Sequence, residues 1–128
     1  MKAIIPYLVF SGNCREAMNY YKEVFDGEIT MMKTFGESPM PVPDELSDRI
    51  FNSILVAGDF KMKASDDMPG YEVKQGTNIS LFLTMKSEEE QRRIFDELSK
   101  EGKIQFPIED NFGMVKDKYG IQWMMIHE

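Results

Sequence analysis

Asn13-Cys14-Arg15-Glu16 and Ser87-Glu88-Glu89-Glu90 are the two short stretches on which the reading of this chain turns. Each has the form of a capping box. A small polar side chain accepts the N3 amide, and a glutamate at N3 reaches back to the cap. They stand 74 positions apart, and the same offset carries Ile5, Tyr7 and Val9 onto Ile79, Leu81 and Leu83. It also carries Tyr21 and Val24 onto Phe95 and Leu98. Each helix then stops at a glycine that opens a strand, in Asp26-Gly27-Glu28-Ile29 and Glu101-Gly102-Lys103-Ile104. One supersecondary unit is therefore written twice, and such a duplication points to a shared cavity or interface.

Outward from the caps, the spacing predicts strand, helix, strand, strand, strand in each half. The first strand, 3–10, is apolar on both faces, so something packs on each side of it. The helix over 14–26 carries Ala17, Tyr20, Tyr21, Val24 and Phe25 at core-facing spacing. A strand over 28–35 leads into Gly36-Glu-Ser-Pro-Met-Pro-Val-Pro-Asp44. Three prolines there bar a helix or a central strand, which leaves a surface loop, a lid or a dimer arm. A hairpin over 50–57 and 60–64 turns at Gly58-Asp59. The second half places strands at 78–84, 103–108, 112–116 and 121–127 and a helix at 88–100. The modules are thus 1–65 and 76–128, joined by 66–75.

With 128 residues, 42% of them hydrophobic, the chain fits a single globular domain. No run is long enough to span a bilayer. One cysteine and 11 methionines suit a reducing compartment, so a cytoplasmic location is expected. The net charge of −7 repels phosphate backbones and argues against nucleic acid. It is an ordinary acidic surface, compatible also with a cationic ligand.

Pro6-Tyr-Leu-Val-Phe-Ser-Gly-Asn-Cys14 with Tyr20-Tyr21, Lys63-Ala-Ser-Asp-Asp-Met-Pro69, Gly102-Lys-Ile104 and Asp117-Lys-Tyr-Gly-Ile-Gln-Trp-Met124 resemble the PhnB-like proteins. These are a branch of the vicinal oxygen chelate (glyoxalase, bleomycin resistance, extradiol dioxygenase) superfamily. The resemblance implies an α+β fold of two βαβββ modules forming a half-open barrel with a central cavity. It also implies a homodimer, expected to bury sheet edges and the proline loop around Met40 and Val42. In the metal-dependent members, first- and fourth-strand side chains of each module, His and Glu among them, hold a divalent ion such as Zn, Ni, Fe or Mn.

Counting from the caps and turn glycines puts the corresponding set at Pro6, Met62, Ser80 and Met124. None is a histidine or carboxylate, and thioethers suit soft Cu(I) instead. The reading is no metal and no cofactor. Asn52 stands where relatives commonly carry histidine and can still orient a polar group or pair with backbone. His127 is next to last in the chain, and Cys14, at a helix start, reads as structural. Some relatives bear a methyltransferase name, but no glycine-rich loop or placed acid is present to hold S-adenosylmethionine. A phosphonate site wants converging arginines, whereas Arg15, Arg92 and Arg93 fall on helices and Arg49 on no cavity strand.

If Pro6 and Ser80 face the cavity, alternation adds Leu8, Phe10 and Phe82, and on later strands Phe60, Met62, Gln122 and Met124. With Asn52 these form an apolar, thioether-rich lining with few polar groups, while Trp123 falls on the opposite face under a helix. A metal-free pocket for a small organic molecule follows, with a binding or sequestering role. Two other readings stay open: an enzyme with a relocated metal, and a structural dimer whose barrel its own side chains fill. Whether the chain catalyses anything is left open as well.

Overall fold

The computed structural model describes residues 1–128 and divides into two compact units, Met1–Val73 and Lys74–Glu128. The first holds β1 (Tyr7–Phe10), α1 (Cys14–Phe25), β2 (Glu28–Thr34), β3 (Ile50–Ala57) and β4 (Phe60–Asp66). The second holds β5 (Leu81–Met85), α2 (Glu88–Ser99), β6 (Lys103–Glu109), β7 (Phe112–Lys116) and β8 (Gln122–His127). The sheet orders are β1-β4-β3-β2 and β5-β8-β7-β6. In each sheet the first strand pairs parallel to the last, and the other pairs are antiparallel. The fold is α+β, two βαβββ modules. No helix is long and apolar enough to cross a membrane.

Each helix covers one face of its own sheet. Cys14, Ala17, Met18, Tyr21 and Val24 form the buried stripe of α1, and Gln91, Ile94, Phe95 and Leu98 that of α2. Against them lie Leu55, Met62 and Ala64 in the first module and Val115, Trp123 and Met125 in the second, all fully buried. A Cβ on Gly27 would lie 2.7 Å from the Val56 carbonyl, and one on Gly102 would strike the Lys116 carbonyl. Only glycine lets the chain leave the helix this close to a neighbouring strand.

Three local expectations change. The first strand begins at Tyr7 rather than residue 3, because Pro6 offers no N–H and contributes only its carbonyl, which accepts from Lys63 N at 2.9 Å. The proline segment is not wholly irregular: 3₁₀ turns form at Phe35–Glu37 and Asp44–Leu46, and Thr34 and Glu37 make a reciprocal capping box. The capping box at Asn13 does not form, since its side chain makes no cap hydrogen bond. Asp66, at the end of β4, takes that role. Its Oδ1 accepts from Gly12 N at 2.8 Å and Cys14 N at 2.9 Å, and its Oδ2 from Ile50 N at 2.8 Å. In the second module half of the expected box forms: Ser87 accepts from Glu90 N at 3.1 Å, while the Glu90 carboxylate accepts from Lys86 N at 3.4 Å rather than from the cap.

Candidate functional site

Strand register fixes which side chains share a face. In the first module Leu8 pairs with Ala64, Ala64 with Ser53, and Met62 with Leu55. Ser53 Oγ lies 3.8 Å from Cys14 Sγ on α1, and the Phe60 ring meets Phe25 edge-on at 5.6 Å. Leu8, Phe10, Phe60 and Met62 therefore lie beneath α1, where Met62 is fully buried. They do not line the open face, and the sequence count for this module is corrected. The open face instead presents Tyr7 and Val9, Lys61, Lys63 and Ser65, with Asn52, Ile54 and Val56. Pro6 precedes β1 and adds only its carbonyl to the ladder.

The error has two physical causes. On β4, Met62 and Phe60 are counted from Gly58, which lies 62 residues before Gly120, although the matched positions Met62 and Trp123 are 61 apart. On β1 the cause is Gly12. Gly12 adopts a left-handed φ of +94° and adds one residue between β1 and α1. Phe10 and Met85 hold equivalent strand ends, each carbonyl accepting from the residue that follows the last strand residue opposite it, Asp67 and Glu128. The equivalent strand ends are 75 apart, whereas the caps are 74 apart. A slip of one reverses every side chain on a strand.

The second module has no such insertion. Leu81 pairs with Trp123 and Leu83 with Met125 on the α2 side, leaving Phe82 beside Met124 on the open face. Gln122 donates to the Ile79 carbonyl at 2.9 Å, lies 3.5 Å from Ser80 Oγ, and accepts from Gln105 at 3.2 Å. Ser80, Phe82, Gln122 and Met124 are thus brought together. Trp123 is fully buried against α2 and donates to Asp117 Oδ2 at 2.8 Å.

On the first module a cavity of about 210 Å³ is lined by Tyr7, Phe35, Phe51, Asn52, Ser65, Asp66 and Met68. Phe35 and Phe51 meet edge-to-face at 5.5 Å. Asn52 Oδ1 is buried here and has no hydrogen-bond partner. A buried amide oxygen without a donor is costly, and such a group at a cavity wall is a receptor for a donor from outside. Of this lining the sequence count had only Asn52. Gly12 was the visible signal that parity on β1 would shift and bring in Tyr7.

The residues present do not fit a chelate. No three His, Cys, Asp or Glu side chains group as metal ligands. Met62 faces α1, both oxygens of Asp66 are taken up by backbone N–H groups, and His127 lies against its own chain end, Nδ1 2.6 Å from the Glu128 carbonyl. Cys14 is fully buried, and burial pushes its thiol up to about 12, so it is held as the neutral thiol. Neither module carries the glycine-rich strand-to-helix loop that would cradle S-adenosylmethionine.

A family model described as 3-demethylubiquinone-9 3-methyltransferase matches residues 2–126. The chain belongs to this family. It is the PhnB-like family. Protein PA1353 from Pseudomonas aeruginosa is 37% identical with a TM-score of 0.91, the match covering 100% of this chain and 98% of that one. A Bacillus cereus PhnB protein, described as a putative 3-demethylubiquinone-9 3-methyltransferase, is 25% identical with a TM-score of 0.83, covering 99% and 100%. Protein YjdN of Escherichia coli K12 is 29% identical over 94% of this chain and 91% of its own length. The PhnB-like family thus accounts for the duplicated module.

Proposed function

We propose that this PhnB-like protein binds a small, flat, largely apolar organic molecule on the open sheet face of its first module, without a metal. The observation that carries the reading is the unpartnered, buried Asn52 Oδ1 in a wall otherwise built from Tyr7, Phe35, Phe51 and Met68. Aromatic and thioether groups supply contact area, and one amide fixes orientation through a ligand N–H or O–H. On the second module the Ser80–Gln122–Gln105 ladder beside Phe82 and Met124 is a further candidate surface for the same ligand class. The methyltransferase description of the family finds no support in a cradle for its methyl donor.

We also propose a homodimer. Tyr7, Val9, Phe82 and Phe106 are 45–58% exposed and sit on open sheet faces, apolar surface for a second copy to cover. A second copy laid over such a face would exclude water from the cavity.

Titration with phenylnaphthylamine, a neutral fluorescent dye, tests the cavity. Saturable binding to the parent, weakened by Asn52→Leu with unchanged thermal stability, supports the reading. Absence of dye binding, or indifference to Asn52→Leu, refutes it. Native mass spectrometry of freshly purified protein checks the remainder: twice the 14.9 kDa chain mass, a co-purifying organic ligand and no stoichiometric metal are expected.

A further inference from the structure

Two equivalent rows cross the open faces of the two modules. The first reads Tyr7, Lys63, Ile54, Met31, and the second Phe82, Met124, Met114, Phe106. Both end at a β-bulge at the same place, between Ile29 and Met31 in one and between Ile104 and Phe106 in the other. Position by position, seven of the eight members are aromatic or aliphatic. Lys63 is the exception.

Lys63 is half-buried on a central strand, between Tyr7 and Ile54, and no carboxylate pairs with it. Alternation puts Lys61 on the same face, and Lys33 stands directly beside Asn52 across the β2–β3 pair. Among the strand residues whose side chains alternate onto that face the single carboxylate is Glu28, at the far end next to Val56. Asp66, which also borders the cavity, has both oxygens engaged by the N–H groups of Gly12, Cys14 and Ile50. In a chain of net charge −7 this is a local positive field over an apolar surface. A cation among apolar neighbours with no counter-ion is a waiting half of a charge-assisted hydrogen bond.

We propose that Lys63 anchors the acidic group of the ligand, so that the ligand class is an apolar organic anion, a carboxylate or phosphate on a flat hydrophobic body. The inference rests on the cavity reading above and deepens it. The acidic group faces Lys63, the body lies along Tyr7 and Ile54 toward Phe35 and Phe51, and a donor on the body meets Asn52 Oδ1. The negative surface elsewhere repels the same anion, which confines it to this face. It also reverses what the overall charge alone suggests about the ligand's sign.

The test pairs two dyes that share one ring system. Anilinonaphthalene sulfonate carries an anion and phenylnaphthylamine does not. The parent should bind the sulfonate more tightly, and added salt should weaken the sulfonate alone. Lys63→Met, which installs the side chain of the equivalent position in the second module, should weaken the sulfonate about tenfold and leave the neutral dye unchanged. Displacement of the sulfonate by naphthoate or by naphthyl phosphate then tells which acid the site prefers. Equal affinity for both dyes, or a Lys63→Met protein that binds the sulfonate as the parent does, overturns the anion anchor while leaving the cavity standing. Failure of the parent to bind either dye overturns both.

Discussion

Compared residue for residue, the two modules agree in their strands and disagree in how their helices are attached. Lys63 matches Met124, Met62 matches Trp123, and the bulges after Ile29 and Ile104 coincide. The strand ends Phe10 and Met85 are 75 apart and so are Gly27 and Gly102, yet α1 and α2 begin at Cys14 and Glu88, 74 apart. The first module spends an extra residue, Gly12, before its helix, and the second spends one, Lys100, after it. The helix has slid by one residue along a conserved sheet. The entry turns are consequently closed by different means. Ser87 caps α2 from within its own turn, whereas α1 is capped by Asp66 at the end of the neighbouring strand β4, distant only in sequence. A local motif satisfies Glu90 N at the start of α2, and a tertiary contact satisfies Gly12 N and Cys14 N at the start of α1.

The sharpest way to break this comparison is to exchange parity on β4. Met62→Asp puts a charge under α1 with nothing to pair it and should cost about 4 kcal/mol or more, enough to leave little folded protein. Lys63→Met, one residue on, should change stability by less than about 0.5 kcal/mol. Urea denaturation of both variants decides it, and comparable effects would mean the face assignment is wrong.

Next in size is the cap. Asp66→Ala strips the partner from three backbone N–H groups and should destabilise by about 3 kcal/mol. Ser87→Ala removes one local bond and should cost about 1 kcal/mol. Equal midpoints for the two variants would show that the remote carboxylate is no more important than the local hydroxyl.

A smaller effect follows from Cys14. Its folded pKa of about 12 lies above the ordinary 9.0, because burial disfavours the thiolate. The associated stability is complete below pH 9 and is lost progressively as pH rises from there toward 12. Cys14→Ser should flatten that alkaline decline. In the native parent at neutral pH, iodoacetamide should label Cys14 only at the rate of opening, and prompt labelling would show that α1 is not seated as described.

Smallest is the exposed Thr34–Glu37 turn. Hydrogen bonds from Thr34 hold the Glu37 carboxyl below its usual range, so what stability they add is present above that range and fades as pH falls through the lowered value. Glu37→Gln should remove this acid dependence with hardly a change in the neutral-pH melting temperature.

Periodicity and glycine placement were sufficient for the elements. The stripe Ala17, Tyr21, Val24 and the match of Tyr21 and Val24 to Phe95 and Leu98 specify two helices, each over its own sheet, because amphipathic spacing is a local property of the chain. The repeat of Gly27 at Gly102 marks where each helix hands over to a strand, since both need a residue without a Cβ. The partner of Asn13's helix could not be read in this way, because the capping carboxylate is 53 residues away and only the β1–β4 pairing brings it near. Nor could the face of β1, since a strand apolar on both sides carries no parity of its own and borrows it from whatever counts into it. Gly12 broke that count in the first module, and nothing broke it in the second. Composition gave the sign of the whole surface, but the position of Lys63 among Tyr7, Ile54 and Met31 is a matter of register. Register is set by hydrogen bonds between strands distant in sequence, and only the folded sheet decides it.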